Sequence, residues 1–167
     1  RRLAPVRRAL DRMRITAKVD YAVRAGIELA RAYPTDGGRP TPLTRQAIAD
    51  AQAIPSKFLE HILADLKRSR LVGSVRGADG GYWLHRPPEA ISVADLIRAA
   101  EGPLADVRGE RPEQLAYPGE LDALQRTWIA VRANLRAVLE HVNLADLLDG
   151  TLPPAVDALA ASDDAWA

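Results

Sequence analysis

Lys57, Glu60 and His61 recur three and four residues apart, with Ser56 just ahead of them. An ammonium, a carboxylate and an imidazole in one row can donate to and accept from a flat polar partner such as the edges of stacked bases. Fifteen residues after His61 comes Arg76-Gly77, inside the run Ser74-Val75-Arg76-Gly77-Ala78-Asp79-Gly80-Gly81-Tyr82. A lone guanidinium beside glycines can approach a narrow, strongly negative groove closely, because glycine lets the backbone come near.

Other chemistries fit poorly. With no cysteine in 167 residues there are no disulfides, thiolate zinc sites, cysteine nucleophiles or cysteine-ligated iron–sulfur clusters. His61, His85 and His141 lie too far apart in sequence for metal-ligand spacing. Gly77 to Gly81 lacks the Lys-Ser/Thr ending of a phosphate loop. None of the five serines sits in a nucleophile elbow. An enzyme is not expected, and neither is a metal site or a cofactor.

The elements that would position the first group follow from periodicity. Residues 55–68 read as a helix, with Phe58, Leu59, Ile62, Leu63 and Leu66 on an inward stripe. Lys57, Glu60, His61, Ala64 and Arg68 fall on the opposite stripe. Residues 71–76 and 82–86 read as two strands around the glycine-rich tip 77–81. Ahead of them, Thr44 caps a short helix through Ala51 with Ala47, Ile48 and Ala51 inward. Thr16 caps an earlier one to about Ala32. That earlier helix carries Asp20, Arg24, Glu28 and Arg31 along a wet face and stops before Tyr33-Pro34. Two helices joined by a tight turn, then a basic hairpin, make a winged helix-turn-helix. The expected fold is mainly α, with a two-stranded wing. Helix N-termini and cations supply affinity for phosphates, which adds Thr16, Lys18 and Arg45 as expected phosphate contacts.

Charge divides the chain. Residues 1–86 carry 17 Lys and Arg against 8 Asp and Glu, whereas residues 87–167 carry 6 against 14, so the formal charge of +1 conceals a basic half and an acidic one. Only the first half is expected to meet a polyanion, namely double-stranded DNA. Residues 1–12 hold five Arg and one Asp, and read as an extension ahead of a natural start at Met13; the functional alternative is a basic arm reaching a DNA groove. No apolar run is long enough to cross a membrane, and a cytoplasmic protein is expected.

The second half begins with Ser92-Val93-Ala94-Asp95, a capping-box start whose helix ends at Gly102-Pro103. Residues 13–102 thus form the expected DNA-binding domain. Residues 103–119 are a long connector rich in charge, proline and glycine, and such connectors are often functional. A helix over about 120–141 places Leu121, Leu124, Trp128, Val131, Leu135, Val138 and Val142 at steps of 3 and 4. This heptad seam needs a partner: either the chain's own first helix or, as expected here, a second copy in a twofold dimer. The dimerisation region is set at 120–150, with a further helical turn over Asn143 to Leu148. Residues 151–167 read as a weakly ordered tail.

Met13-Arg14-Ile15-Thr16-Ala17-Lys18, Tyr21-Ala22-Val23-Arg24-Ala25, Ile54 to Val72 with Phe58-Leu59-Glu60, and above all Ser74 to Tyr82 resemble the Rrf-two (IscR-like) family of transcriptional regulators. The resemblance covers about Met13 to Leu152. It implies a homodimeric winged-helix repressor or activator on palindromic promoter DNA. It further implies base reading at Lys57 and Glu60 and minor-groove contact at Arg76. Sensing members of the family hold an iron–sulfur cluster on three cysteines of the connector. Here Pro103 to Gly119 has none, and Asp20, which matches a carboxylate that some members recruit, is expected to be solvated or ion-paired. Two alternatives to a plain DNA-binding dimer remain. One is a winged helix used for protein contact through the acidic half. The other is a DNA-binding dimer whose connector senses a small molecule or protein of unknown identity, with Tyr117 and Trp128 near a pocket.

Overall fold

The computed structural model describes residues 15–163. Residues 1–14 and Trp166 therefore lie outside the described part, and with them both readings of the basic N-terminal extension. The elements are α1 (Ala17–Arg31), α2 (Arg45–Gln52), α3 (Ser56–Arg68), β1 (Val72–Val75), β2 (Gly81–Leu84), α4 (Val93–Glu101), α5 (Asp122–Leu139), α6 (Leu144–Asp149) and α7 (Pro154–Ala160).

Local chemistry sets most boundaries. Thr16 and Thr44 accept from the backbone N–H of Val19 and Ala47, satisfying an orphan donor in the first turns of α1 and α2. α2 ends at Ala53, whose left-handed backbone turns the chain toward α3. Ser92 and Asp95 form the capping box of α4, and Asn143 and Asp146 repeat it on α6.

The core is apolar throughout. Leu29 of α1, Ile48 of α2 and Leu59, Ile62, Leu63 and Leu66 of α3 are buried together with Val72, Leu84, Ile91, Leu96 and Leu144. Each such side chain contributes about 1.5–3 kcal/mol relative to exposure. Burial of one stripe of α3 leaves its other stripe outward. α1 is central: it packs on α2, α3, α4 and α6.

β1 and β2 pair antiparallel with Val72 opposite Leu84 and Val75 opposite Gly81. Leu43 adds a bridge to Tyr82 through two hydrogen bonds of 2.8 and 2.9 Å. This third segment lies so close that a Cβ on Gly81 would stand 2.4 Å from the Leu43 carbonyl oxygen. Glycine is required there by contact.

Several expectations need correction. Phe58 is not inward: it is 52% exposed and meets Tyr21 edge-on at 6.1 Å. In α2, Ile48 and Ala49 are buried, whereas Ala47 and Ala51 face outward, so the short helix turns its 48–49 edge rather than its 47–51 edge to the core. The strands are shorter than 71–76 and 82–86. The long helix is Asp122–Leu139, entered through a 3-10 turn at Gly119–Leu121. The tail is not wholly irregular, since Pro154 opens α7, where its missing N–H costs nothing.

Lys18 and Asp65 join α1 to α3. Their charged groups are 2.6 Å apart, and the Lys18 ammonium also donates to the Ala100 carbonyl at 2.6 Å, adding α4 to the clasp. Burial would push the Asp65 carboxyl up, but the hydrogen bonds and charges of Lys18 and Arg68 together outweigh it and hold the group below its ordinary value of 3.8. A depressed carboxyl stabilises the fold above its unfolded pKa and loses that contribution as pH falls through the folded one. Asp65→Asn should therefore destabilise the neutral protein by about 1–2 kcal/mol, at the low end for charge-assisted bonds because Lys18 is one-third exposed. Urea unfolding should show the difference closing in acid well below pH 3.8; a gap independent of pH would show that the ionised carboxylate is not its source.

Candidate nucleic-acid interface

α3 presents Ser56, Lys57, Glu60, His61 and Ala64 to solvent. Its N-cap, Pro55, provides no side-chain acceptor, so the first-turn N–H groups remain available to an anion or a base edge. The wing tip, including Arg76 and Gly77, is exposed beside it. Gly77 has φ +117°, a backbone that side-chain-bearing residues rarely adopt, and a Cβ there would meet nothing. The tip is thus shaped for close approach.

α2, α3 and the wing enclose an open cavity of about 430 Å³, lined by Thr44, Arg45, Lys67, Ser74, Arg76 and Gly77 among others. The Lys67 ammonium donates to the Ser74 hydroxyl at 2.7 Å and ties the end of α3 to β1. Lys67 and Ser74 were not among the residues expected from sequence. Lys67 follows Glu60 by seven residues, two helical turns on, and that spacing could have placed it on the same side.

Other expected contacts prove to be engaged within the chain. Arg45 pairs with Glu60 at 2.9 Å, joining α2 to α3 across the turn. The pair puts a cation next to the one carboxylate of the outward row, which lowers the cost of bringing Glu60 near phosphate. Both groups are well exposed, so the bond can exchange for one to a ligand. Thr16 caps α1 and donates to Glu101. Lys18 is committed to Asp65 and Ala100. Neither Thr16 nor Lys18 therefore has its polar group free for phosphate in the chain as folded. Asp20 pairs with Arg24 at 3.2 Å, and the Arg24 guanidinium also donates to the Gln52 carbonyl.

Along α5 no side chain is buried. Leu121, Leu124 and Leu135 are exposed, Trp128, Val131 and Val138 are half-buried, and only Val142, past the helix end, is inside. Within the chain α5 leans chiefly on the connector and, more lightly, on α4. The connector itself is partly structured, with Leu104, Pro112 and Leu115 buried and a 3-10 turn at Pro112–Gln114. Gln125 donates to the Pro112 and Leu115 carbonyls. Tyr117 lies under Arg108, 5.9 Å from the guanidinium carbon.

The fold and this surface define a winged helix-turn-helix DNA-binding protein. The sequence profile of the Rrf2 family, described as "Iron-dependent Transcriptional regulator", matches residues 15–150, and the chain belongs to that family of transcriptional regulators. A Mycobacterium tuberculosis protein assigned to the helix-turn-helix regulators, Rv1287, is 46% identical over 89% of both chains. CymR of Bacillus subtilis is 34% identical over 83% of this chain and 92% of its own. Its solved structure, named as that of the global cysteine regulator, superposes with a TM-score of 0.66, at 33% identity over 83% of this chain and 98% of that one. The structure of T. potens IscR gives 0.63 at 30% identity, covering 92% and 96%.

The family's description invokes iron, which thiolates, imidazoles or carboxylates hold when they are grouped. The chain has no cysteine, and among the described residues no three His, Asp or Glu side chains are grouped as metal ligands.

Arg76→Ala should lower DNA affinity more at A·T-rich sites than at G·C-rich ones, because A-tracts narrow the minor groove and deepen its negative potential. Fluorescence anisotropy on matched duplexes measures this. Equal losses on both would place Arg76 on phosphates alone.

Proposed function

We propose that the chain acts in the cytoplasm as a homodimer that represses transcription from palindromic promoter DNA, without a cysteine-ligated cluster. The unburied apolar seam of α5 carries this reading. An 18-residue helix with no buried side chain, showing leucines to water at heptad spacing, is costly unless another surface covers it. A second copy suits it, because a self-complementary face closes on itself in a twofold pair. The apolar surface continues past the seam into a groove of about 120 Å³ between the start of α1 and α5, lined by Ile15, Val19, Ile97, Leu104, Leu135 and Leu139. Ile15 at its edge is 81% exposed.

In such a dimer each α3 enters a major groove, with Ser56, Lys57, Glu60 and His61 toward base edges. Each wing reaches the neighbouring minor groove with Arg76, while Gly77 lets its backbone come close. Glu60 gains specificity by exchanging Arg45 for a cytosine amino group, a contact that discriminates by about 1–3 kcal/mol. Arg45, once released, turns to phosphate. Thr16 and Lys18 hold the α1–α3–α4 junction, and they reach phosphate only if their present partners let go. The absence of thiolates supports a signal other than a cluster.

Two measurements test the proposal. Affinity for a promoter duplex should fall steeply with salt, log K dropping by about 0.9 per phosphate neutralised for each unit of log salt. A salt-independent or absent interaction would favour the protein-contact reading of the winged helix. Trp128→Ala should weaken the dimer by about 3–5 kcal/mol if the ring is fully packed in the interface. Sedimentation equilibrium at low concentration reads this, and an unchanged dissociation constant would remove the seam from the interface.

A further inference from the structure

Four arginines from three elements line one cavity of about 300 Å³: Arg98 of α4, Arg111 of the connector, and Arg132 and Arg136 of α5. Three carboxylates answer them, one of them shared with an arginine outside the cavity. Glu140 takes Arg136 at 3.0 Å and also Arg98, while Glu113 takes Arg132 at 3.2 Å. Asp95 reaches Arg98 at 3.7 Å, but it also holds Arg86. Arg111 has no carboxylate partner among the described residues. The Arg132 side chain is only 14% exposed, and its Nε is buried with no hydrogen-bond partner there. A buried, unmatched guanidinium N–H costs free energy unless a ligand accepts from it. The cluster thus has more cation than anion, and it shows its preference in the way two guanidiniums converge on a single Glu140 oxygen. Those hydrogen bonds hold the Glu140 carboxyl down at about 2, so it remains an anion at any physiological pH.

We propose that this cavity is a binding site for a small oxyanion, a carboxylate or phosphate compound, and that its occupancy alters DNA affinity. Guanidiniums match both groups through paired N–H donors, and the volume suits a small metabolite. An anion held by Arg98, Arg111 and Arg132 joins α4 of the DNA-binding part to the connector and to α5. Its binding energy therefore depends on how those three elements sit. Any dependence of DNA binding on the same arrangement appears as coupling of equal size in both directions. The coupling half of the proposal rests on the DNA-binding function; the binding half does not.

Isothermal titration of the full chain without DNA, with succinate and with inorganic phosphate as probes and ionic strength fixed by sodium chloride, tests the binding half. A saturable heat in the millimolar range or tighter is expected for at least one probe, and none for succinamide, the uncharged analogue. Saturation by succinate alone identifies a carboxylate ligand, and by phosphate alone a phosphate compound. Arg111→Gln should weaken binding at least tenfold, whereas Arg126→Gln, exposed elsewhere on α5, should leave it unchanged. Binding should also slow amide exchange across 98–104 and 111–115 of the unaltered chain, and not across 72–84. Absence of saturation with both probes, equal binding by Arg111→Gln, or exchange protection confined to other segments would overturn the site. For the coupling half, a saturating probe should shift DNA affinity at least threefold at constant ionic strength, and Arg111→Gln should abolish the shift. Binding without any shift would overturn that half alone.

Discussion

The burial of one face of α3 against α1 is the constraint on which the rest of the structure depends. Leu59, Ile62, Leu63 and Leu66 are fully enclosed, and together they are worth several kcal/mol. A helix fixed along one side is fixed in rotation as well. Lys57, Glu60 and His61 therefore have no choice of direction. The same packing sets the wing, because β1 leaves α3 after a short turn and Lys67 ties the helix end to Ser74. Core packing and the outward recognition surface are two sides of one hydrophobic pattern.

Polar links refine this frame. The clasp of Lys18 with Asp65 and Ala100 gathers α1, α3 and α4 at one junction. Arg45 and Glu60 brace the two helices of the helix-turn-helix on the exposed side. The two pairs differ in burial, and so in consequence. The enclosed one belongs to the fold, whereas the solvated one is weak enough to be traded for a ligand. Charge placement follows the same division. The basic half carries the outward face of α3 and the wing, and the acidic half carries α5.

Much of this was legible in the sequence because it is local. Thr16, Thr44 and Ser92 announce their helices through short-range capping, and all three caps are formed. The wing is signalled by glycines, although the reason Gly81 must be glycine, the Leu43 carbonyl, lies 38 residues upstream and has no periodic mark. Phe58 was misread because helical spacing gives an apolar stripe without giving its width. Tyr21 partly covers that ring at the margin of the core. α7 lies inside the stretch read as a weakly ordered tail, where proline at the first turn opens a short helix. The partners of Lys18 and Arg45 and the arginine cavity join residues distant in sequence, so no motif marks them.

The α5 seam and the α3 face make one joint statement about geometry: two copies related by a twofold axis should read two inverted half-sites. Selection of bound sequences from a random duplex pool by the full chain tests this most directly. The expected outcome is an enriched palindrome whose half-site centres lie about one helical turn, roughly 34–36 Å, or a multiple apart. Enrichment of a single unrepeated half-site, or no enrichment over the starting pool, would contradict it.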